Sequence, residues 1–335
     1  MKKLSLNSSS KYKGRFYCLL IMFLLLCVTY LVDIKNTDVN CEDKKLAHLN
    51  PQIVCRATQV VNKRNYVAFK GQLETYIQVA EKNGDADLVS VYFRDLQYGP
   101  TFGVDEYEKF SPASLLKLPM MISYLTLAEE EPEKDILKTK IYFKGYNQDI
   151  SQSIPPKISA KENVDYTIFE LLEFLIKYSD NNSYYALLGY LNSISSNTQI
   201  LRDTFIDLGV IDPKSNLDET ITVKSYAGIF TQLFNSSYFT NKETSEMALK
   251  LLTDTDYHDG IVAGVPSGVK VAHKFGERFD DSTDLKQLHD CGVVYYPNNP
   301  YLLCVMTKGK DMGKLAKTIA EISRMTYKEF DSRKF

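Results

Sequence analysis

Histidine is scarce in this chain: four among 335 residues, at positions 48, 258, 273 and 289. They form no recognisable Ser-His-Asp set and read as structural or exposed residues. No Cys/His spacing matches a metal site, so no metal and no cofactor is implied. An excess of charge of either sign is also lacking. Lys and Arg number 40 against 42 Asp and Glu, a net charge of −2, and nothing points to a nucleic-acid partner. Composition shows no bias towards disorder or collagen, and no internal repeat or low-complexity stretch is present. The length allows one large domain or two modest ones.

One uncharged apolar run stands out, from Phe16 to Val32, behind Lys2, Lys3, Lys11, Lys13 and Arg15. Its 17 residues are at the short end for crossing a bilayer. Val28-Thr29-Tyr30-Leu31-Val32-Asp33 is a poor signal-peptidase site. Leu26 stands where a lipoprotein signal would need a small residue before Cys27. The expectation is an uncleaved signal anchor at the cell membrane. Residues 1–15 form a basic cytoplasmic end, 16–32 the transmembrane segment, 33–65 a tether and 66–330 an extracytoplasmic domain. Of the six cysteines, Cys18 and Cys27 lie in the apolar run. Outside the cell Cys41–Cys55 and Cys291–Cys304 are candidate disulfides, with buried free thiols as the alternative.

Apolar residues recur at helical spacing over Val67–Lys82, and Gly84-Asp85 ends that helix. Leu88–Asp95 reads as a strand, and Gly99-Pro100 turns it into Thr101–Val104. A helix is expected from Ser114 to Leu127 behind Pro112. A helix-dominated stretch follows, from about 130 to 255. Strands return at Val269–Gly276, Cys291–Tyr296 and Tyr301–Thr307, before a last helix from Met312 to about Tyr327. Strands far apart in sequence around a helical insertion predict an α/β (α+β) fold. In it an antiparallel sheet, built from both chain ends, is flanked by the terminal helices beside a helical subdomain. A cleft between the lobes is the natural place for a site.

Three short pieces carry chemistry: Ser114-Leu115-Leu116-Lys117, Ser179-Asp180-Asn181 and Lys274-Phe275-Gly276. A Ser-x-x-Lys match alone says little, since Ser8–Lys11, Ser10–Lys13 and Ser267–Lys270 also fit it. Only Ser114–Lys117 opens an apolar helix, where positions i and i+3 share a face and the amine can reach the hydroxyl. A serine at a helix N-terminus also has backbone N–H groups beside it to hold a developing oxyanion. Burial would lower the lysine's pKa and make it a base. Taken singly, the pieces have plainer readings: an N-capping serine, a capping loop and an exposed strand lysine.

Their order, with separations of 65 and 95 residues, resembles the motif set of the class A β-lactamases and penicillin-binding proteins. Val91-Tyr92-Phe93-Arg94-Asp95-Leu96, Phe110-Ser111-Pro112-Ala113-Ser114 and Lys117-Leu118-Pro119 are similar to the segment leading into that family's nucleophile. The resemblance spans about residues 66–330 and implies a β-lactamase-like fold. It also implies roles: Ser114 as nucleophile, Lys117 as its base and Ser179 as proton relay to the leaving nitrogen. Asn181 would orient the substrate amide and Lys117. Lys274 would support Ser179 and attract a substrate carboxylate. Backbone N–H groups of Ser114 and Glu277, the residue after Gly276, would form the oxyanion hole.

Two departures bear on the reaction. Phe275 replaces a hydroxyl residue that binds the substrate carboxylate in the family, a loss of about 1.5–3 kcal/mol for one charge-assisted bond; Arg278 is a candidate substitute. The stretch Val210–Ile221 lacks the Glu-x-x-Leu-Asn pattern that activates the deacylating water in class A enzymes, and offers only Asp218 and Glu219. The expected function is a membrane-anchored serine hydrolase acylated at Ser114 by β-lactams or D-Ala-D-Ala peptides. The alternative is a penicillin-binding D,D-peptidase-like protein, or a catalytically weak binding or sensor module.

Overall fold

The computed structural model describes Met22 and residues 46–50, 66–97, 99–145, 152–194, 199–212, 214, 220–280 and 283–333. All but Met22 belong to one unit, Lys45–Pro51 with Val60–Phe335. The expected anchor (Met22 apart), the tether except for residues 46–50, with both Cys41 and Cys55, and both Asp218 and Glu219 lie outside the described residues. Among the described residues no helix is long and apolar enough to cross a membrane.

Helix α1 covers Val67–Lys82 and buries Phe69, Leu73, Ile77 and Ala80, one stripe at helical spacing. Strands β1 (Leu88–Asp95) and β2 (Thr101–Val104) pair antiparallel, with Val91 opposite Val104. A short strand β3 (Lys109–Phe110) leads to a 3₁₀ turn at Ala113–Leu116 and helix α2 (Lys117–Glu130). Strands β4 (Lys140–Phe143) and β5 (Val164–Thr167) form a separate antiparallel pair that the sequence pattern did not announce. Helices α3 (Ile168–Lys177), α4 (Asn181–Ile194) and α5 (Gln199–Asp207) follow. Then come β6 (Ile221–Thr222), which pairs with β3, α6 (Val223–Phe234) and α7 (Lys242–Thr253). The chain closes with β7 (Val271–Asp280), β8 (Leu285–Val294), β9 (Tyr301–Gly309) and α8 (Met312–Ser332).

The main sheet runs β2-β1-β9-β8-β7, antiparallel throughout. Strand β1 from the N-terminal part pairs with β9 from the C-terminal part, so the sheet is assembled from both ends of the domain, as the sequence predicts. Period-2 alternation turns Val89, Val91 and Phe93 towards α1 and α8, where they pack with Leu303, Val305, Leu315, Ile319, Ile322 and Phe330. The opposite face of β1, β8 and β9 meets α6. Cys291 and Cys304 stand opposite each other across β8 and β9 and form a disulfide, the pairing expected there.

Candidate active site

Ser114 lies in the 3₁₀ turn rather than in the first turn of an α-helix, and α2 starts only at Lys117. The difference follows from the residues just before it. Ala113 takes a left-handed backbone, φ +49°, which an α-helical start does not allow, and Leu115 N–H bonds the Pro112 carbonyl at 3.0 Å. In a 3₁₀ turn residues i and i+3 eclipse each other, which sets Lys117 directly over Ser114. Lys117 Nζ donates to Ser114 Oγ at 3.0 Å.

That turn is held from several sides. Tyr226 donates its hydroxyl to the Leu115 carbonyl at 3.0 Å. Gly276 on β7 packs so closely that a Cβ there would lie 3.0 Å from Leu115 N and 3.3 Å from Ser114 N. Ser111, three residues upstream, is clamped by β7 and β8. Its N–H donates to Gln287 Oε1 at 3.0 Å, its Oγ accepts from Arg278 Nη1 at 2.9 Å, and its carbonyl is 3.1 Å from His289 Nε2. A carbonyl can only accept, so His289 carries its proton on Nε2. Burial pushes the His289 pKa down to about 4, which keeps the ring neutral at physiological pH.

Lys117 is 3% exposed. Besides Ser114 it donates to the Ser179 carbonyl, to Asn181 Oδ1 at 2.7 Å, and lies 3.2 Å from Ser179 Oγ. Burial lowers its pKa to about 7, against the opposing pull of the Asp180 and Glu277 charges. Lys274, on β7, is fully buried and donates to Ser179 Oγ at 2.9 Å and to the Phe275 carbonyl at 2.6 Å. Burial first, and Lys117 second, drive its pKa well below the ordinary lysine value. Ser179 Oγ therefore sits between two amines, and the three motifs named from sequence meet around it.

The Ser179-Asp180-Asn181 corner is built by an unusual backbone and a cap. Ser179 has φ +54°. Asp180, also buried, accepts from Ser183 N–H at 2.9 Å and Ser183 Oγ at 2.6 Å, which caps α4. It also accepts from Ser159 Oγ and Ala160 N–H, tying a distant loop to the corner. The motif is thus a capping loop and a member of the site at once.

The remaining predicted residues lie along β7, which is buried as far as Gly276 and partly or fully exposed beyond it. Phe275, expected at the substrate surface, is 3% exposed and stacks on Tyr257 with ring centroids 4.3 Å apart. An apolar ring gains more from the core than from a wet cleft, so residue 275 offers no surface to a substrate. It instead walls the Lys274 ammonium, which lies 4.2 Å from its ring centroid. Lys274, expected to attract a substrate carboxylate, is correspondingly closed off. Arg278 is exposed and engaged with Ser111. Glu277 Oε1 accepts from Ser153 N–H at 2.8 Å and Ile154 N–H at 3.3 Å.

Gln152 has no sequence signature, yet it joins the site. Its Nε2 donates to the Ser179 carbonyl at 3.0 Å and its Oε1 accepts from Asn181 N–H at 3.3 Å. Residues 152–154 therefore strap the Ser179 corner to Glu277 on β7. Among the described residues no group of three or more His, Cys, Asp or Glu is arranged to hold a metal.

Comparison with solved structures agrees with this architecture. PBP-A superposes with a TM-score of 0.64 at 20% identity, covering 82% of this chain and 100% of its own. A variant of PBP-A, solved as an acyl-enzyme complex with penicillin G, gives 0.62 at 20% identity, covering 78% and 97%. A β-lactamase from Sphaerobacter thermophilus gives 0.65 at 17% identity, covering 81% and 98%. At such identities the likeness is one of fold. No curated protein matches the chain. The profile described as the β-lactamase enzyme family, however, matches residues 72–330, and on that match the chain belongs to this family of serine hydrolases.

Proposed function

We propose that the protein is an acyl-serine enzyme that opens amide or lactam bonds through Ser114, with β-lactams or D-Ala-D-Ala peptide ends as acyl donors. The observation that carries this reading is the buried Lys117 amine, 3.0 Å from Ser114 Oγ with a pKa near 7. At neutral pH about half of such an amine is free base and able to take a proton. Ser114 Oγ bonds the carbonyl carbon as its proton passes to Lys117 Nζ. The C–N bond then breaks, the leaving nitrogen takes the Ser179 hydroxyl proton, and Lys117 returns a proton to Ser179 across 3.2 Å. An ester on Ser114 and a free amine result. Water cleaves the ester to an acid and restores the serine. The Lys274 amine, 2.9 Å from Ser179 Oγ, favours the negative charge that develops there.

With no Glu-x-x-Leu-Asn loop, deacylation is slow and the ester persists, the behaviour of a penicillin-binding protein. Burial of Phe275 favours a second reading, a weakly turning-over binding or sensor module, because it leaves this strand without a hydroxyl for a substrate carboxylate. We further propose the anchored, extracytoplasmic location; the charged-then-apolar N-terminus and the Cys291–Cys304 disulfide support it. The test is labelling of the full chain in detergent with a fluorescent penicillin, followed by intact mass and a chase. A stable adduct, absent in Ser114→Ala, is expected. Adduct formation that survives Ser114→Ala would overturn the assignment. Rapid turnover of the label would mean an efficient β-lactamase with a water-activating group elsewhere.

A further inference from the structure

We propose that the Cys291–Cys304 disulfide belongs to the acylation machinery: it backs Lys274 and so holds in place the amine that supports proton delivery to the leaving nitrogen. The inference rests on the acyl-serine reading above. Strand register places the bond there. Lys274 on β7 stands opposite Cys291 on β8, and Cys291 stands opposite Cys304 on β9. Directly opposed residues on neighbouring antiparallel strands share a face, with Cβ atoms about 4.5–5.5 Å apart. That face is the one α6 covers, because Phe275, Leu303 and Val305, which alternate with these residues, pack on the other side with α1 and α8. Gly276, two residues along β7, lies on the same face as Lys274 and packs against the nucleophile turn.

Lys274, Cys291 and Cys304 are each fully buried. The lysine is therefore fixed at both ends. Its Nζ donates to Ser179 Oγ at 2.9 Å and to the Phe275 carbonyl at 2.6 Å, and its stem has the sulfur pair beside it. The apolar sulfurs also help to keep the amine dry, and burial is the first cause of its lowered pKa. Breaking the bond disturbs both. A dithiol reductant supplies two electrons and two protons: its thiolate attacks one sulfur, the S–S bond breaks, and its second thiol displaces the mixed disulfide. Two cysteine thiols and a cyclic disulfide of the reductant result. Two thiol sulfurs need more room than two bonded ones, in a row that is close-packed and buried. Replacing both cysteines by alanine instead opens a cavity beside the lysine stem. Either way the amine loses its fixed distance to Ser179 Oγ, and the loss falls on the step that protonates the leaving nitrogen. Attack by Ser114 draws on Lys117 instead.

The experiment measures the first-order rate constant of Ser114 ester formation on the full chain in detergent, by intact mass, with two donors. Benzylpenicillin expels a nitrogen that must gain a proton. An N-acyl-D-alanyl thioester expels a thiol, whose pKa of about 8.5 lets it leave as the anion. Cys291→Ala with Cys304→Ala is expected to lower the benzylpenicillin rate about tenfold or more, because small displacements of a reacting group already cost rate. The thioester rate should move less than about threefold, since its leaving group needs no proton. Wild type reduced with dithiothreitol, verified by alkylation at both cysteines and freed of reductant before the donor is added, should show the same selective loss. Reoxidation should restore the rate, and the reductant should leave the double variant unchanged, which sets the other cysteines aside. These rate constants do not depend on the fraction folded. An unchanged benzylpenicillin rate in the double variant, or equal losses with both donors, would overturn the inference while leaving the acyl-serine reading intact. No Ser114 adduct of the oxidised wild type with either donor would overturn both.

Discussion

Lys117 decides the pH behaviour of the site because its charge state is set by burial rather than by solvent. The acylation rate should rise with pH along a limb centred near 7, where Lys117 loses its proton. Lys117→Met should lower that rate by roughly 10²–10⁴-fold, the usual worth of a positioned base, as read by single-turnover mass spectrometry. The same shift appears in stability. The folded lysine titrates near 7 and an unfolded one near about 10.4. Between those values the unfolded chain holds the extra proton, so stability rises with pH across that window and is flat below it. The urea midpoint of the wild type should therefore climb relative to Lys117→Met from pH 7 to 10; parallel midpoints would contradict a buried, shifted lysine. Asp180 raises the Lys117 pKa by its charge, so Asp180→Asn should move the acylation limb to lower pH. It should also cost about 1–2 kcal/mol, because the amide cannot satisfy every donor that the carboxylate holds.

The 3₁₀ turn at Ala113–Leu116 works as an element because β7 and β8 hold it, through Gly276, Arg278, Gln287 and His289. Gly276→Ala would place a methyl 3.0 Å from a backbone nitrogen that can yield only by moving the turn. A displacement of a few tenths of an ångström at the nucleophile is expected to lower acylation about tenfold or more while the thermal midpoint changes little, since misplacement short of about 1 Å already costs rate. A large fall in the midpoint with unchanged rate in the folded fraction would assign Gly276 to stability alone. Sequence spacing located α1 and β1 as observed, since both carry an uninterrupted apolar period. It did not announce the β4–β5 pair, whose strands are short and mostly exposed, nor the turn that replaces the first helical residues at Ser114. Positive φ at Ala113 and Ser179 has no signature in residue type. Gln152 escaped for the same reason: it acts through where its loop lies, not through a motif.

At the scale of the whole molecule, the sheet joins β1 to β9 and so unites both ends of the domain in one layer. The disulfide between β8 and β9 closes a loop of 13 residues within that sheet. Cys291→Ala with Cys304→Ala should cost about 2–3 kcal/mol, seen as a lower urea midpoint, and the wild type unfolded under reducing conditions should lose a similar amount. Unchanged midpoints would mean that the pair adds nothing beyond sheet packing. Both helical layers depend on this sheet: α1 and α8 cover one face and α6 the other.

By itself the sequence determined the chemistry-bearing pieces, their order and the fold class, because apolar periodicity and short motifs are local properties of a chain. It also determined that Ser114 and Lys117 could touch, since three residues separate them in any helical turn. Only the tertiary structure decided that Ser179 Oγ lies between two amines drawn from segments 62 and 95 residues away. Only it turned Phe275 into the core and set the Glu277 carboxylate against the backbone of residues 153 and 154. Such outcomes depend on which face of a strand meets the core and on what packs above it. Burial, not residue type, then sets the charge on each lysine.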